Sequence, residues 1–197
     1  MEKLTNEVLE TLTKETYQTA KKQGFYPEGT SISHCLMMIV TEMGEAIQSD
    51  RKDKHGTIND YEAWLDTSSD HAYEESLLDT VESELADIAI RTMSLIGYFL
   101  NEKKQGRIVS DEIFKYNYEL GRIELQGSLT EDLFFLIQVI MWSDIAHSPA
   151  WLVVLKLQEV LAYLFALAHR RNIDLLEHIK LKIQYNEYRD YKHGYKY

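Results

Sequence analysis

The sequence predicts an all-α protein. Apolar residues recur at helical spacing through several long segments, and no segment alternates with the period of two that a half-buried strand requires. Turn residues are scarce, with 2 Pro and 9 Gly in 197 residues, fewer than a large β-protein of this length would use. The 45% hydrophobic content is enough to bury a core.

The elements follow in order. A first helix is expected over 5–22, ending near Gly24. Residues 24–30 hold one Pro and two Gly and read as a loop. Ser31 or Ser33 can cap a second helix that continues to about Lys52. Residues 53–75 are polar and broken by Gly56, Asn59 and Asp60, so they read as a long loop with a short helix around Trp64. Leu78, Val81, Leu85, Ile88, Thr92, Leu95, Ile96 and Phe99 fall on one stripe, which predicts a helix over 76–103. Further helices are expected over 110–124, 129–147, 151–171 and 174–188, followed by a charged, aromatic tail. The pairs 31–52 with 76–103 and 129–147 with 151–171 read either as a duplicated bundle whose second half has lost its carboxylates, or as unrelated packed helices.

Charge narrows the function. The net charge of −11 argues against a nucleic-acid polymer or an anionic membrane as partner, because both are bound through Lys and Arg. It leaves open a small polyanion, provided a metal cation stands between ligand and protein. A single cysteine, Cys35, leaves neither an internal disulfide nor a thiolate cluster. Residues 1–10 lack the apolar centre of a signal peptide. The apolar stretch 151–168 carries Lys156, Gln158 and Glu159 and reads as a buried helix, not a membrane span. A cytoplasmic location is expected.

Two pairs of carboxylates stand out, Glu42 with Glu45 and Glu84 with Asp87. Spacing alone carries little, since Glu7 with Glu10 and Asp174 with Glu177 share it. Rotational position carries more. Glu42 lies about 90° from the centre of the stripe Ile32, Leu36, Ile39, Met43, Ala46 and Ile47, and Glu45 about 60° further. Glu84 and Asp87 stand at nearly the same offsets on their own helix. Antiparallel packing of the two helices would put both pairs on one edge; parallel packing would put them on opposite edges. Four carboxylates on one edge call for a cation, and hard oxygen donors suit Mg²⁺, or Mn²⁺ in its place. The apolar helices lack the Glu-x-x-His pairs of di-iron bundles, which argues against redox chemistry. His34 and Met38 precede Glu42 on the same face and are candidates for a base pocket. Phe25, Tyr26 and Trp64 are candidates for stacking on a base.

Three segments together resemble the MazG-like family of all-α nucleoside triphosphate pyrophosphohydrolases. The first runs from Lys22-Gln23-Gly24-Phe25 to Thr41-Glu42-Met43-Gly44-Glu45-Ala46. The second is Glu84-Leu85-Ala86-Asp87-Ile88-Ala89-Ile90-Arg91. The third is Lys182-Ile183-Gln184-Tyr185-Asn186-Glu187-Tyr188-Arg189, closing with His193-Gly194. The resemblance implies a metal site of Glu42, Glu45, Glu84 and Asp87. It also implies phosphate contacts from Lys182, Asn186 and Arg189, and hydrolysis of a (deoxy)nucleoside triphosphate to monophosphate and pyrophosphate. Glu45, with Glu42 beside it, is the preferred general base, and His34 and Trp64 are preferred contacts to the substrate. On this reading 1–197 is one all-α domain. Residues 20–100 form the metal-binding unit, 101–171 a degenerate second unit or an insertion, and 172–197 the substrate-contacting helix and tail. Two departures from the family stand out: a longer gap between the acidic pairs, and the intervening residues 101–171. A nucleotide-binding bundle without catalysis is the alternative, and both monomer and homodimer are open.

Overall fold

The structure, a computed structural model, describes residues 5–65, 68–104, 106–108, 127–141 and 145–187. The described residues contain helix and no strand, as expected for an all-α chain. The α-helices are α1 (Asn6–Lys22), α2 (Ile32–Arg51), α3 (Ile58–Ala63), α4 (Ser69–Ser76), α5 (Val81–Tyr98), α6 (Leu129–Met141), α7 (Ala150–Arg170) and α8 (Leu175–Glu187). The helix expected over 110–124 lies outside the described residues.

Local chemistry sets the helix ends. The Thr5 hydroxyl accepts from the Val8 backbone N–H, and that of Ser31 from His34, so each satisfies one of the donors a first turn leaves open. Residues 53–75 hold more helix than their composition suggests. The short helix expected around Trp64 is α3, with Trp64 as its C-cap, and α4 follows it. Thr57 and Asp60 form a reciprocal capping box that starts α3 despite the polar residues around it. The long apolar helix begins at Val81, later than expected. Asp79 adopts a left-handed conformation at φ 57°, and Thr80 caps the helix through the Ser83 N–H. A π-helical turn, Phe99–Lys103, extends α5. Helix α6 ends at Met141, and a short 3₁₀ turn at Ile145–His147 leads through Ser148 and Pro149 into α7.

Helix α5 is the axis of the bundle. Of its residues only Asp87, Ile90 and Arg91 escape full burial. A helix apolar on nearly every side needs neighbours all round, and α1, α2, α7 and α8 supply them. Contacts down the α2–α5 interface run in opposite senses. Cys35 is close enough to Arg91 to feel its charge, Glu42 pairs with Arg91, and the Ser49 hydroxyl donates to the Asp79 carbonyl at 2.8 Å. The two helices are therefore antiparallel.

Helices α6 and α7 join the same core. Leu133, Leu136, Leu157, Leu161 and Leu164 are fully buried and continuous with Ile39 and Ile88. Asp132, at the start of α6, accepts from Arg170 at 2.7 Å and Arg171 at 2.9 Å, and so ties α6 to the end of α7. Helix α7 is long and apolar enough to cross a membrane by composition. Half of its apolar window is buried within the bundle, where it packs on α5.

One glycine sets the approach of α1. A Cβ at Gly97 would lie 2.4 Å from the Tyr17 Cβ and 2.7 Å from the Thr13 carbonyl oxygen. Both neighbours are rigid, so the helices would have to separate. Gly97→Ala should destabilise the fold by about 1–3 kcal/mol, outweighing the roughly 1 kcal/mol of helix propensity that alanine adds. A raised melting temperature would show that α1 yields at this crossing.

Candidate metal centre

Antiparallel packing puts the two acidic pairs on one edge of the α2–α5 interface. Carboxylate oxygens of Glu42, Glu84 and Asp87 lie within 4.8 Å of one another. Glu45 does not join this convergence. It is exposed on the rim of the same cavity, because three residues along α2 rotate it by about 60° away from Glu42.

The triad is largely withdrawn from water. Glu42 and Glu84 are each 4% exposed. Burial raises the Glu42 pKa to about 7; Arg91 opposes the shift while Asp87 and Glu45 add to it. Burial likewise raises Glu84 to about 8, with Asp87 adding to the shift and Lys182 opposing it. Arg91 donates from Nε to Glu42, and Lys182 lies 2.8 Å from Asp87. Carboxylates thus outnumber the cations that face them. A buried, undercompensated set of hard oxygen donors fits a divalent cation, with water and ligand oxygens completing its shell.

The triad opens into a cavity of about 540 Å³, a size typical of small-molecule sites. Glu45, Asp79 and Lys182 line it together with the triad. The amides of Gln23 and Asn186 and the rings of Phe25 and Tyr26 also line it. Tyr26 stacks on Tyr98 with centroids 5.2 Å apart, and its phenol accepts from the Ser94 hydroxyl at 3.0 Å. Gln23 donates through Nε2 to the Asn186 carbonyl at 2.8 Å. Among the described residues the buried Asn186 Oδ1 has no hydrogen-bond partner, an arrangement that a ligand donor would relieve.

The residues expected from sequence distribute as follows. Glu42, Glu84 and Asp87 converge, and Glu45, His34, Met38, Phe25, Tyr26, Lys182 and Asn186 line the cavity. Trp64 does not; its ring packs edge-on against His71 at 5.9 Å, on the segment between the acidic pairs. Lys182 was expected at substrate phosphates, yet it is 3% exposed and paired with Asp87. Arg189 and the closing His193-Gly194 lie outside the described residues. Arg91 was the missed site residue. Its signal was present, because it follows Glu84 and Asp87 by seven and four residues and shares their face of α5.

Compared with known proteins, the chain matches no family model, no curated protein and no solved structure.

The raised carboxyl pKa values imply a pH-dependent fold. A carboxyl whose folded pKa exceeds its unfolded value stabilises the fold when protonated. That contribution is complete below the ordinary value of 4.5 and is lost as the pH rises through about 7 and about 8. Metal-free protein should therefore resist urea better at about pH 6 than at about pH 9, and Glu84→Gln should remove the upper part of the loss. Equal loss in the wild type and the variant would show that Glu84 is not the group responsible.

Proposed function

We propose that the chain is a Mg²⁺-dependent nucleoside triphosphate pyrophosphohydrolase of MazG-like type, with Mn²⁺ able to replace Mg²⁺. The convergence of Glu42, Glu84 and Asp87 on a cavity that aromatic and amide side chains also line carries this reading. Such a lining matches the parts of a nucleotide. Phosphates belong beside the acidic triad, with the cation between like charges. The base belongs beside Tyr26, Phe25 and Gln23, where stacking and amide hydrogen bonds are on offer.

A bound divalent cation would neutralise phosphate oxygens and orient the attacking water. The chain's own residues do the rest. Arg91 keeps Glu42 in place and partly offsets its charge. Glu45, exposed on the rim and outside the convergent triad, is placed to accept the proton of the attacking water. The water oxygen bonds to phosphorus as the α–β anhydride bond breaks, and pyrophosphate departs with the electron pair. Asn186 supplies an unsatisfied acceptor to a sugar hydroxyl or base N–H. The reading places the enzyme in the cytoplasm, acting on a free nucleotide as monomer or homodimer.

A panel of ordinary and modified (deoxy)nucleoside triphosphates should yield pyrophosphate and monophosphate with at least one member, and only when Mg²⁺ or Mn²⁺ is present. Glu42→Gln should lower kcat by about 100-fold or more while the protein stays folded. Nucleotide binding without product from any triphosphate would favour a regulatory bundle; a fully active Glu42→Gln protein would remove Glu42 from the site.

A further inference from the structure

We propose that Lys182 is a positioning residue that aims Asp87 at the metal centre, and that the segment between the acidic pairs supplies its support through Tyr73. The inference rests on reading Glu42, Glu84 and Asp87 as cation ligands. It assigns Lys182 a role different from the phosphate contact its motif implies.

The contacts around Lys182 are internal. The side chain is 4% exposed. Its Nζ lies 2.8 Å from Asp87 and donates to the Ser83 hydroxyl at 3.1 Å. An ammonium has three donors, and these two partners fix its direction. Ser83 lies one turn before Asp87 on α5, so both partners share a face of one rigid helix. The Ser83 hydroxyl also meets the Tyr73 hydroxyl at 2.9 Å. Tyr73 is 1% exposed and stacks on Tyr185 at 4.6 Å. The Lys182 ammonium lies 5.5 Å from the Tyr73 ring centre and 5.9 Å from that of Tyr185. Two ring faces and a hydroxyl thus hold the cation against Asp87.

Helix α4 therefore has a task in the site. It brings Tyr73, anchored in a small core of Tyr61, Ala72 and Leu77. A second tie joins it to α8, where the Tyr185 hydroxyl donates to Glu74 at 3.2 Å. The chain Tyr73, Ser83, Lys182, Asp87 crosses α4, α5 and α8 and ends at a metal-facing carboxylate. Partners of this kind set the orientation of a ligand, and their loss commonly costs 10–100-fold in metal affinity.

Removing the lysine charge would draw any cation more strongly, so absolute affinity cannot isolate positioning. The ratio of Mg²⁺ to Ca²⁺ affinity can. Mg²⁺ demands near-ideal octahedral geometry, whereas Ca²⁺ tolerates an irregular shell. Each cation alone is titrated calorimetrically into the full chain and its variants Tyr73→Phe, Ser83→Ala and Lys182→Met. In each variant the Mg²⁺ dissociation constant should rise relative to that for Ca²⁺, by about 10-fold. Tyr73→Phe keeps the ring stack and removes one hydroxyl, so it decides the matter should Lys182→Met fail to fold. Unchanged ratios in the folded variants, above all with a raised KM for nucleotide in Lys182→Met, would overturn the proposal in favour of a phosphate-binding lysine. Shifted ratios in a protein that hydrolyses no triphosphate would uphold the positioning role and overturn the enzymatic reading alone. A wild type that binds neither cation would overturn both.

Discussion

Like charge held close inside a bundle is the constraint on which the rest of this structure turns. Glu42 and Glu84 are nearly as buried as the leucines around them, and Asp87 lies close to both. Burial and repulsion oppose the ionisation of Glu42 and Glu84 and raise their pKa values. A helix pair gains nothing in stability from such an arrangement, since apolar residues of similar volume would pack there at less cost. The flanking cations reduce the penalty without removing it. Arg91 comes from the face of α5 that carries Glu84 and Asp87 and pairs with Glu42 of α2, and Lys182 arrives from α8. Much of the bundle's design follows from bringing those two groups in while keeping one side of the triad open to a cavity.

Packing direction made the site; the sequence shows the rotational offsets of the two acidic pairs but not the sense in which their helices pack. The matched rotational offsets of the two acidic pairs were legible because an α-helix turns a fixed angle per residue. Whether those offsets coincide or oppose depends on the connection, which periodicity does not describe. The long helices were legible for the same reason: their apolar stripes last several turns. Helix α3 was legible only as a short helix around Trp64, and α4 was not legible, because at 6 and 8 residues they are too short to show a period. The one usable signal was Thr57 with Asp60 three residues on, a capping box hidden among residues that otherwise read as helix breakers.

Lys182 shows a different limit. Its position in the motif was readable, and its surroundings were not. A lysine near a charged, aromatic C-terminal sequence reads as a solvated charge or a phosphate contact. The buried environment comes from Tyr73, more than a hundred residues earlier, and from Ser83 on the central helix. No local pattern links three residues on three helices. Trp64 fails in the opposite sense. An aromatic residue in a polar stretch invites a role in stacking, but α3 carries it away from the cavity to pack on His71.

The cavity also bears on the kind of chemistry that the site supports. Cys35 lines it, and a thiol in a ligand-sized cavity raises the question of covalent catalysis. Its environment argues otherwise. Burial pushes the Cys35 pKa up to about 11, and the nearby Arg91 charge only partly opposes the shift. At neutral pH the group is a thiol, which is a poor nucleophile and a small apolar wall. Tyr26 is driven further still from ionisation by burial, so its hydroxyl serves as a neutral hydrogen-bonding group. The carboxyls remain, with Glu42 and Glu84 raised into the range of neutral pH, and the His34 ring lines the same cavity. Glu42 and Glu84 sit within that range but are enclosed, whereas Glu45 is open to solvent and to whatever occupies the cavity. On the proposed hydrolytic reading, water attacks directly and the exposed Glu45 assists from the rim of the cavity.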